Sequence, residues 1–423
     1  MKKTGLFSTD FGYVWPGQFI SQMGTSLHAI GFSYYLKTAT DSASLVGSVS
    51  FATGMLALLA LPIAGVVCDV LSRRNIVLRC DFLCASLIVM LALGFHAFDT
   101  ERSRVILLCM TAPLIGIISV FFRPAFGAML PDIVGREQLA KANSLYKGGA
   151  RLGELFGSVS GGLLYRAFGP TVLFTLNGCS YLIAYILMRK TSFHLKVTAP
   201  STTLRPKLSW KPPDLLRNFG EGLKQIRTIR GASEYLCTAV SINVFAAPIL
   251  VYMPFHASST FGGDALIYAT LMGSLSCGIF LGYLTAAFLP IKKAASSTSI
   301  TATIVLMCFC FLGFARSHEL YVAASWLSVA GLANGYWSVF FETGMQSSLP
   351  RHLLGRVFAT LGLGSGIAVP FSTLCAGVWL DRFEHDTHVL FTVCAFGMTI
   401  VPTTLLLFSA NYRAFFERFR DFQ

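Results

Sequence analysis

The chain has 423 residues, of which 54% are hydrophobic and 13% charged, with a mean hydropathy of +0.63. A soluble domain of this size alternates apolar and polar residues around one core, so the composition excludes that class and indicates a polytopic membrane protein. The net charge of +13 does not signal nucleic-acid binding, because basic patches with interleaved aromatics are absent.

A bilayer core of about 30 Å is crossed by about 20 apolar helical residues. Twelve segments meet that length: 13–36, 45–70, 76–96, 105–129, 143–166, 171–189, 233–256, 265–289, 298–316, 320–345, 356–380 and 388–410. They are far too long for barrel strands and show no sustained period-two alternation. The expected fold is all-α, with twelve transmembrane helices in two pseudo-symmetric six-helix bundles. Residues 1–189 form the first bundle, 190–232 a cytoplasmic central loop, and 233–423 the second bundle with a short tail. Lys2 and Lys3 resemble a signal-peptide n-region, but the following apolar stretch is too long and no small-residue cleavage site follows.

Gln18, Gln22 and Thr25 fall on one face of span one, a polar stripe that lipid would not tolerate. Lining a solute cavity and hydrogen-bonding helices together both account for such a stripe. His28 in the same span fits either a hydrogen-bonded structural histidine or a group titrating near neutral pH. After span two the chain reads Gly65-Val-Val-Cys-Asp69-Val-Leu-Ser72-Arg73-Arg74.

Span five carries two patterns. Gly153, Gly157 and Gly161, with Gly162 beside them, make a smooth stripe that admits a close neighbouring helix. Lys147, Arg151 and Glu154 share another face, about a quarter turn away at 100° per residue. Ionisable groups inside a membrane are functional candidates because burying them is costly. Burial of Glu154 would equip it for proton exchange, whereas Arg151 three residues earlier favours a structural intrahelical pair with Lys147 reaching the interface.

The central loop divides into a stretch rich in Pro, Ser and Thr (Pro200, Pro206, Pro212, Pro213) and an amphipathic segment, 214–230. There Leu215, Phe219, Leu223 and Ile226 recur at helical spacing opposite basic residues, a pattern suited to the membrane surface. Asn243 in span seven, with Asn334 and Trp337 in span ten, are further cavity candidates on the same terms as the span-one stripe. Glu342, near the cytoplasmic end of span ten, suits solvation or pairing with a loop arginine.

With the N-terminus cytoplasmic and residues at the very ends of spans counted with the adjoining loops, cytoplasmic segments hold 23 of the 33 Lys and Arg residues and outer loops 6. Arg79, Arg123, Lys147 and Arg151 fall inside spans. This bias places both termini in the cytoplasm. The eleven cysteines lie in or at the ends of spans without zinc-ligand spacing, so they read as packing residues. No cofactor or metal is expected.

The halves repeat one another. Phe121-Phe122-Arg123-Pro124…Leu130-Pro131, then Gly135-Arg136, has the counterpart Phe340-Phe341-Glu342-Thr343…Leu349-Pro350, then Gly355-Arg356. Spans five and eleven close with Gly162…Arg166…Phe168 and Gly377…Asp381…Phe383. Such repeats place a binding site between halves near the midplane, with alternating access by rocking.

The segment from Gly65 to Arg74 resembles the loop signature of the major facilitator superfamily, Gly-x-x-x-Asp-x-x-(Gly/Ser)-Arg-(Lys/Arg). Three further stretches narrow the resemblance: Gln18…Ser21-Gln22-Met-Gly24-Thr25, Arg123-Pro-Ala…Leu130-Pro131-Asp132…Gln138-Leu139…Asn143-Ser144-Leu145, and Leu349-Pro350…Gly355-Arg356-Val357. Together they resemble the transmembrane secretion effector branch, which includes enterobactin-type siderophore exporters and macrolide efflux proteins. The span-five glycines resemble the antiporter motif of drug–proton exchangers, with Ser158 in place of its proline. Span four lacks the mid-membrane arginine common in those exchangers, since Arg123 lies near the cytoplasmic edge.

The resemblance implies that Asp69 meets the start of span eleven and that Arg73 reaches Asp132, latching the cytoplasmic side with Arg74 alongside. It implies a monomeric proton-coupled exporter of a small organic solute in the inner membrane of a bacterial cell, with the solute, protons and the bilayer as partners. An importer on the same fold is the alternative. A membrane-embedded enzyme or sensor is more remote, because no nucleotide loop, metal cluster or nucleophile–base pair is present.

Overall fold

A computed structural model of the protein describes residues 7, 10–134, 138–191, 231–288, 297–348, 351–383 and 385–414. The amphipathic segment 214–230, Gly135-Arg136 and Leu349-Pro350 lie outside the described residues. Among the described residues, these helices follow in chain order: α1 (Phe11–Thr40), α2 (Ala43–Val70), α3 (Arg73–Ala97), α4 (Glu101–Val134), α5 (Leu139–Phe168), α6 (Pro170–Arg189), α7 (Ala232–Val251), α8 (Met253–Phe261), α9 (Ala265–Phe288), α10 (Ser297–Ala315), α11 (Leu320–Ser348), α12 (Arg351–Arg382) and α13 (Thr387–Phe408).

Each expected span falls on one of these helices, except that span seven falls on two. The break has a local cause. Tyr252 closes α7 by donating its N–H to Pro248 O, and Pro254, which has no N–H to extend a helical ladder, sits in the first turn of α8. Gly262, at φ +86°, then stops α8.

Seven helices among the described residues are long and apolar enough to cross a membrane by length and composition: α2, α3, α4, α6, α7, α9 and α13. α1 and α5 are not among them, and both carry the polar stripes described above. The outer surface is apolar: Leu59, Leu93, Met110, Phe309 and Ile400 are all more than half exposed. Hydrocarbon, not water, suits that surface.

Contacts divide the chain into two compact units. Unit 1 comprises Met1–Asp41, Ala52–Leu208 and Asp264–Thr270, and unit 2 comprises Ser42–Phe51, Ser209–Gly263 and Leu271–Gln423. The units therefore follow the sequence halves except at two helix ends. The start of α2 belongs to unit 2, and the start of α9 to unit 1. In unit 1, α1 packs along α5 and α6, while α3 packs along α4 and α6. In unit 2, α10 packs on α11 and α13, and α7 on α12 and α13.

Candidate transport site and helix-end contacts

The glycine stripe of α5 lies against α1. A β-carbon at Gly153 would stand 2.8 Å from the Phe19 carbonyl oxygen, one at Gly157 would collide with the Met23 carbonyl, and one at Gly161 would press on Ile30. Only hydrogen at these positions permits backbone contact between the helices. Ser158 hydrogen-bonds across the seam to Ser26 at 2.9 Å, and Ser26 also donates to Glu154 O at 3.0 Å. Trp15 Nε1 donates to Leu145 O at 2.8 Å, fastening the same two helices nearer their other ends.

The charged face of α5 is not deeply buried. Arg151 Nη1 lies 2.6 Å from Glu154 Oε2, and both side chains are 41% exposed. The two form the intrahelical pair that their spacing allows, and Lys147, one turn before Arg151, is exposed.

In the loop motif, Arg73 Nη1 lies 3.0 Å from Asp132 Oδ2 and donates to Ala128 O at 2.9 Å. Both members belong to unit 1, where they tie the start of α3 to the end of α4. As a half-exposed pair it contributes about 0–1 kcal/mol. Arg74 donates instead to the last carbonyls of α6, Arg189 O at 3.0 Å among them, where a cation complements the helix dipole. No neighbour stands within 4 Å of a β-carbon at Gly65. The Asp69 and Glu342 side chains and the start of α12 as a contact surface lie outside the described residues.

The polar cavity candidates separate by exposure. Gln18 is 4% exposed, whereas Gln22 is half-buried and Thr25 exposed. Thr25 Oγ1 donates to Ser21 O at 2.8 Å and lies 3.2 Å from Tyr181 Oη on α6. Asn243 is exposed and donates to Ala239 O one turn back at 2.8 Å. Asn334 contacts Met307 Sδ at 3.8 Å, and Trp337 is buried against Tyr235 and Phe341. His28 departs from the hydrogen-bonded alternative: its Nδ1 is buried with no partner, and the ring packs on Phe32 and Phe174. Aromatic stacking holds it where a polar contact was expected.

Two helix-end contacts explain why the units exchange ends. At the close of α12, Asp381 accepts hydrogen bonds from Ala43 N at 2.8 Å, Ser44 N at 2.9 Å and Ser42 Oγ at 3.2 Å. These are the unpaired first donors of α2, which a carboxylate satisfies while complementing the helix dipole. Partial burial works to raise the Asp381 carboxyl. Hydrogen bonds from Ser44, Ala43 and His385 outweigh it and leave the group below its ordinary value of 3.8.

The repeat-related contact joins α5 to α9. A β-carbon at Gly162 would collide with Ala269, and Arg166 Nη1 lies 3.3 Å from Asp264 Oδ2. Asp264 in turn accepts from Leu266 N at 3.1 Å, capping α9. Arg166 and Asp381 occupy equivalent repeat positions with opposite charge. One reaches a helix start through its capping aspartate, the other directly.

Sequence reasoning passed over two buried groups. Asp81 on α3 is 1% exposed, and its Oδ2 is buried with no hydrogen-bond partner. His256 on α8 is fully buried, with Nδ1 2.8 Å from Thr387 Oγ1 and Nε2 without a partner. A charged residue inside an apolar span was the available signal for Asp81, obscured by its closeness to the predicted start of span three.

Residues 4–412 match the transmembrane secretion effector family. Macrolide efflux protein A of Streptococcus pyogenes is 22% identical over 385 residues, covering 90% of this chain and 92% of that protein. The multidrug efflux pump Tap of Mycolicibacterium fortuitum is 25% identical over 393 residues, covering 89% and 90%. Among solved structures, the nucleoside transporter NupG aligns over 94% of this chain and 98% of its own, with a TM-score of 0.70 at 11% identity. A bacterial homologue of the iron transporter ferroportin, in its inward-facing state, aligns over 95% and 98% with a TM-score of 0.70 at 14% identity. Likeness at such identity shows the fold alone. With the family match spanning nearly the whole chain, on a helical fold shared with these transporters, the protein belongs to the transmembrane secretion effector family of the major facilitator superfamily and is a multi-pass membrane transporter, not an enzyme.

Proposed function

We propose that the protein is a monomeric secondary active exporter in the inner membrane of a bacterial cell, moving a small organic solute outward in exchange for protons. In this reading it works by alternating access through twelve spans, with both termini in the cytoplasm. The cargo is a siderophore-like metabolite or an amphipathic drug. The observation that carries this reading is the likeness, over about nine-tenths of both chains, to two proteins named for efflux.

The α1–α5 seam supports it. Backbone contact along Gly153, Gly157 and Gly161 makes the two helices move as one body, while Lys147, Arg151 and Glu154 stay on another face. A proton taken up by half-exposed Glu154 would cancel its charge and release Arg151. Gln22 and Thr25 are the polar solute contacts assigned to α1, and Asn243, Asn334 and Trp337 are separate candidates on α7 and α11. Gly65, Asp69, Arg73, Arg74 and Asp132 gate the cytoplasmic side.

Untargeted mass spectrometry on the medium and cell extract of a deletion strain and its complemented parent tests direction and cargo together. An exporter predicts a compound that disappears from the medium and accumulates in the deletion cells. A compound left unconsumed outside would mean uptake and overturn the reading. Glu154→Gln is expected to fold normally and lose its response to an imposed pH gradient. Undiminished gradient-driven transport would remove Glu154 from the coupling role.

A further inference from the structure

We propose that Asp81 is a proton-binding site of this transporter, connected to the exposed face of α1 through Tyr181 and Thr25. The inference rests on the proton-antiport reading and adds to it a carboxyl on a different helix from Glu154.

Asp81 is the only Asp or Glu among the described residues that is buried. The other acids of unit 1 whose side chains are described above are partly exposed and paired: Glu154 with Arg151, Asp132 with Arg73, and Asp264 with Arg166. Asp81 has no such ion-pair partner among the described residues, and its Oδ2 has no hydrogen-bond partner. An unpaired carboxylate cut off from water is strongly unfavourable, and a bound proton removes the charge.

The surroundings distinguish a site that exchanges its proton from an inert neutral acid. Cys80 and Cys84 flank Asp81 on α3, and α6, which carries Tyr181, packs along the same helix. Cys80 directs its thiol at Ile118 O on α4, 3.7 Å away, and Cys68 on α2 stands beyond Cys80. Tyr181 is therefore the hydroxyl that leads from the α3–α6 packing outward to Thr25. Thr25 spends its single hydroxyl proton on Ser21 O, so in the 3.2 Å contact Tyr181 is the donor and Thr25 the acceptor. The Tyr181 oxygen keeps its lone pairs to accept from a protonated acid. Thr25 lies exposed on the polar stripe that carries Gln22.

The relay is open in this conformation, because Asp81 Oδ2 has no hydrogen-bond partner. Rotation of Tyr181 or entry of one water closes it. A coupling site has to be insulated in one state and connected in another, and a relay missing one link has that property.

Infrared difference spectroscopy of the purified full chain, across a pH series in light and heavy water, tests the assignment with protons themselves as the probe. The expected result is a protonated-carboxyl band that fades reversibly as pH rises and is lost in Asp81→Asn. Tyr181→Phe, which keeps the acid, should retain the band and slow its hydrogen–deuterium exchange. A band unchanged in Asp81→Asn, or one that never responds to pH, would overturn the proposal.

Transport of the compound identified by mass spectrometry, followed in everted vesicles under an imposed pH gradient, separates the two readings. Wild-type transport that ignores the gradient, beside a band that titrates, would sink antiport and leave Asp81 a proton site. Wild-type transport that follows the gradient, with Asp81→Asn following it equally, would remove Asp81 alone.

Discussion

Ser158 stands where the antiporter motif carries proline, and the substitution changes what α5 does. Proline would remove an N–H from the helix ladder, whereas serine keeps the ladder and adds the hydroxyl contact to Ser26. The stripe at this point is a packing surface first. Gly157→Leu is expected to push α1 off α5 and cost about 1–3 kcal/mol. Ser158→Ala, which only deletes a hydrogen bond, should cost about 0.5–1.5 kcal/mol. Thermal unfolding of the purified variants in one detergent checks both, and equal midpoints for Gly157→Leu and wild type would contradict the seam. Spacing along one helix made the stripe legible in the sequence. Asp81 was not legible in this way, because its isolation depends on α4 and α6 packing over α3, and no periodicity within α3 encodes that.

Among the elements, the helix ends do more than the helix middles to define the units. Asp381 neutralises the start of α2 much as a capping residue from its own chain segment would, but from a different helix. Because its carboxyl is held below the ordinary value, the contact is complete at neutral pH. It is lost only as pH falls through that lowered value. Spin labels placed on the first turn of α2 and the last turn of α12 should therefore report one distance from neutral to mildly acidic pH. Asp381→Asn should broaden that distribution already at neutral pH, and an unchanged distribution would show that the carboxylate does not hold the helices. The long apolar runs gave the helices away in the sequence. Glycines 162 and 377 were visible as repeat marks, yet their partners were not, since a repeat relates positions without saying what each one touches. The break between α7 and α8 was signalled by Pro248 and Pro254 but hidden inside a continuous apolar run.

For the whole molecule, the asymmetry of 23 against 6 basic residues sets the expected topology. A fluorescent protein that matures only in the cytoplasm should fluoresce when fused at the C-terminus. Alkaline phosphatase inserted at Gly262-Gly263 should be active, because the expected topology puts that loop outside. The opposite pair of results would invert the orientation. Family was legible from short motifs, since loop signatures such as Gly65 to Arg74 keep their residue types at fixed spacing. Cargo was not. A nucleoside transporter and a ferroportin homologue share this fold at similar TM-scores, so the helices themselves do not encode what is carried.

The bond from Ala43 to Asp381 links residues 338 positions apart. During synthesis the start of α2 is made early, and its free amides wait for a carboxylate that leaves the ribosome near the close of translation. Until then the first six helices lack one of their own end supports. A chain stalled before α12 would present an unfinished N-terminal half to the membrane's quality-control proteases, and Asp381 would mark the moment at which the whole polypeptide becomes resistant to them.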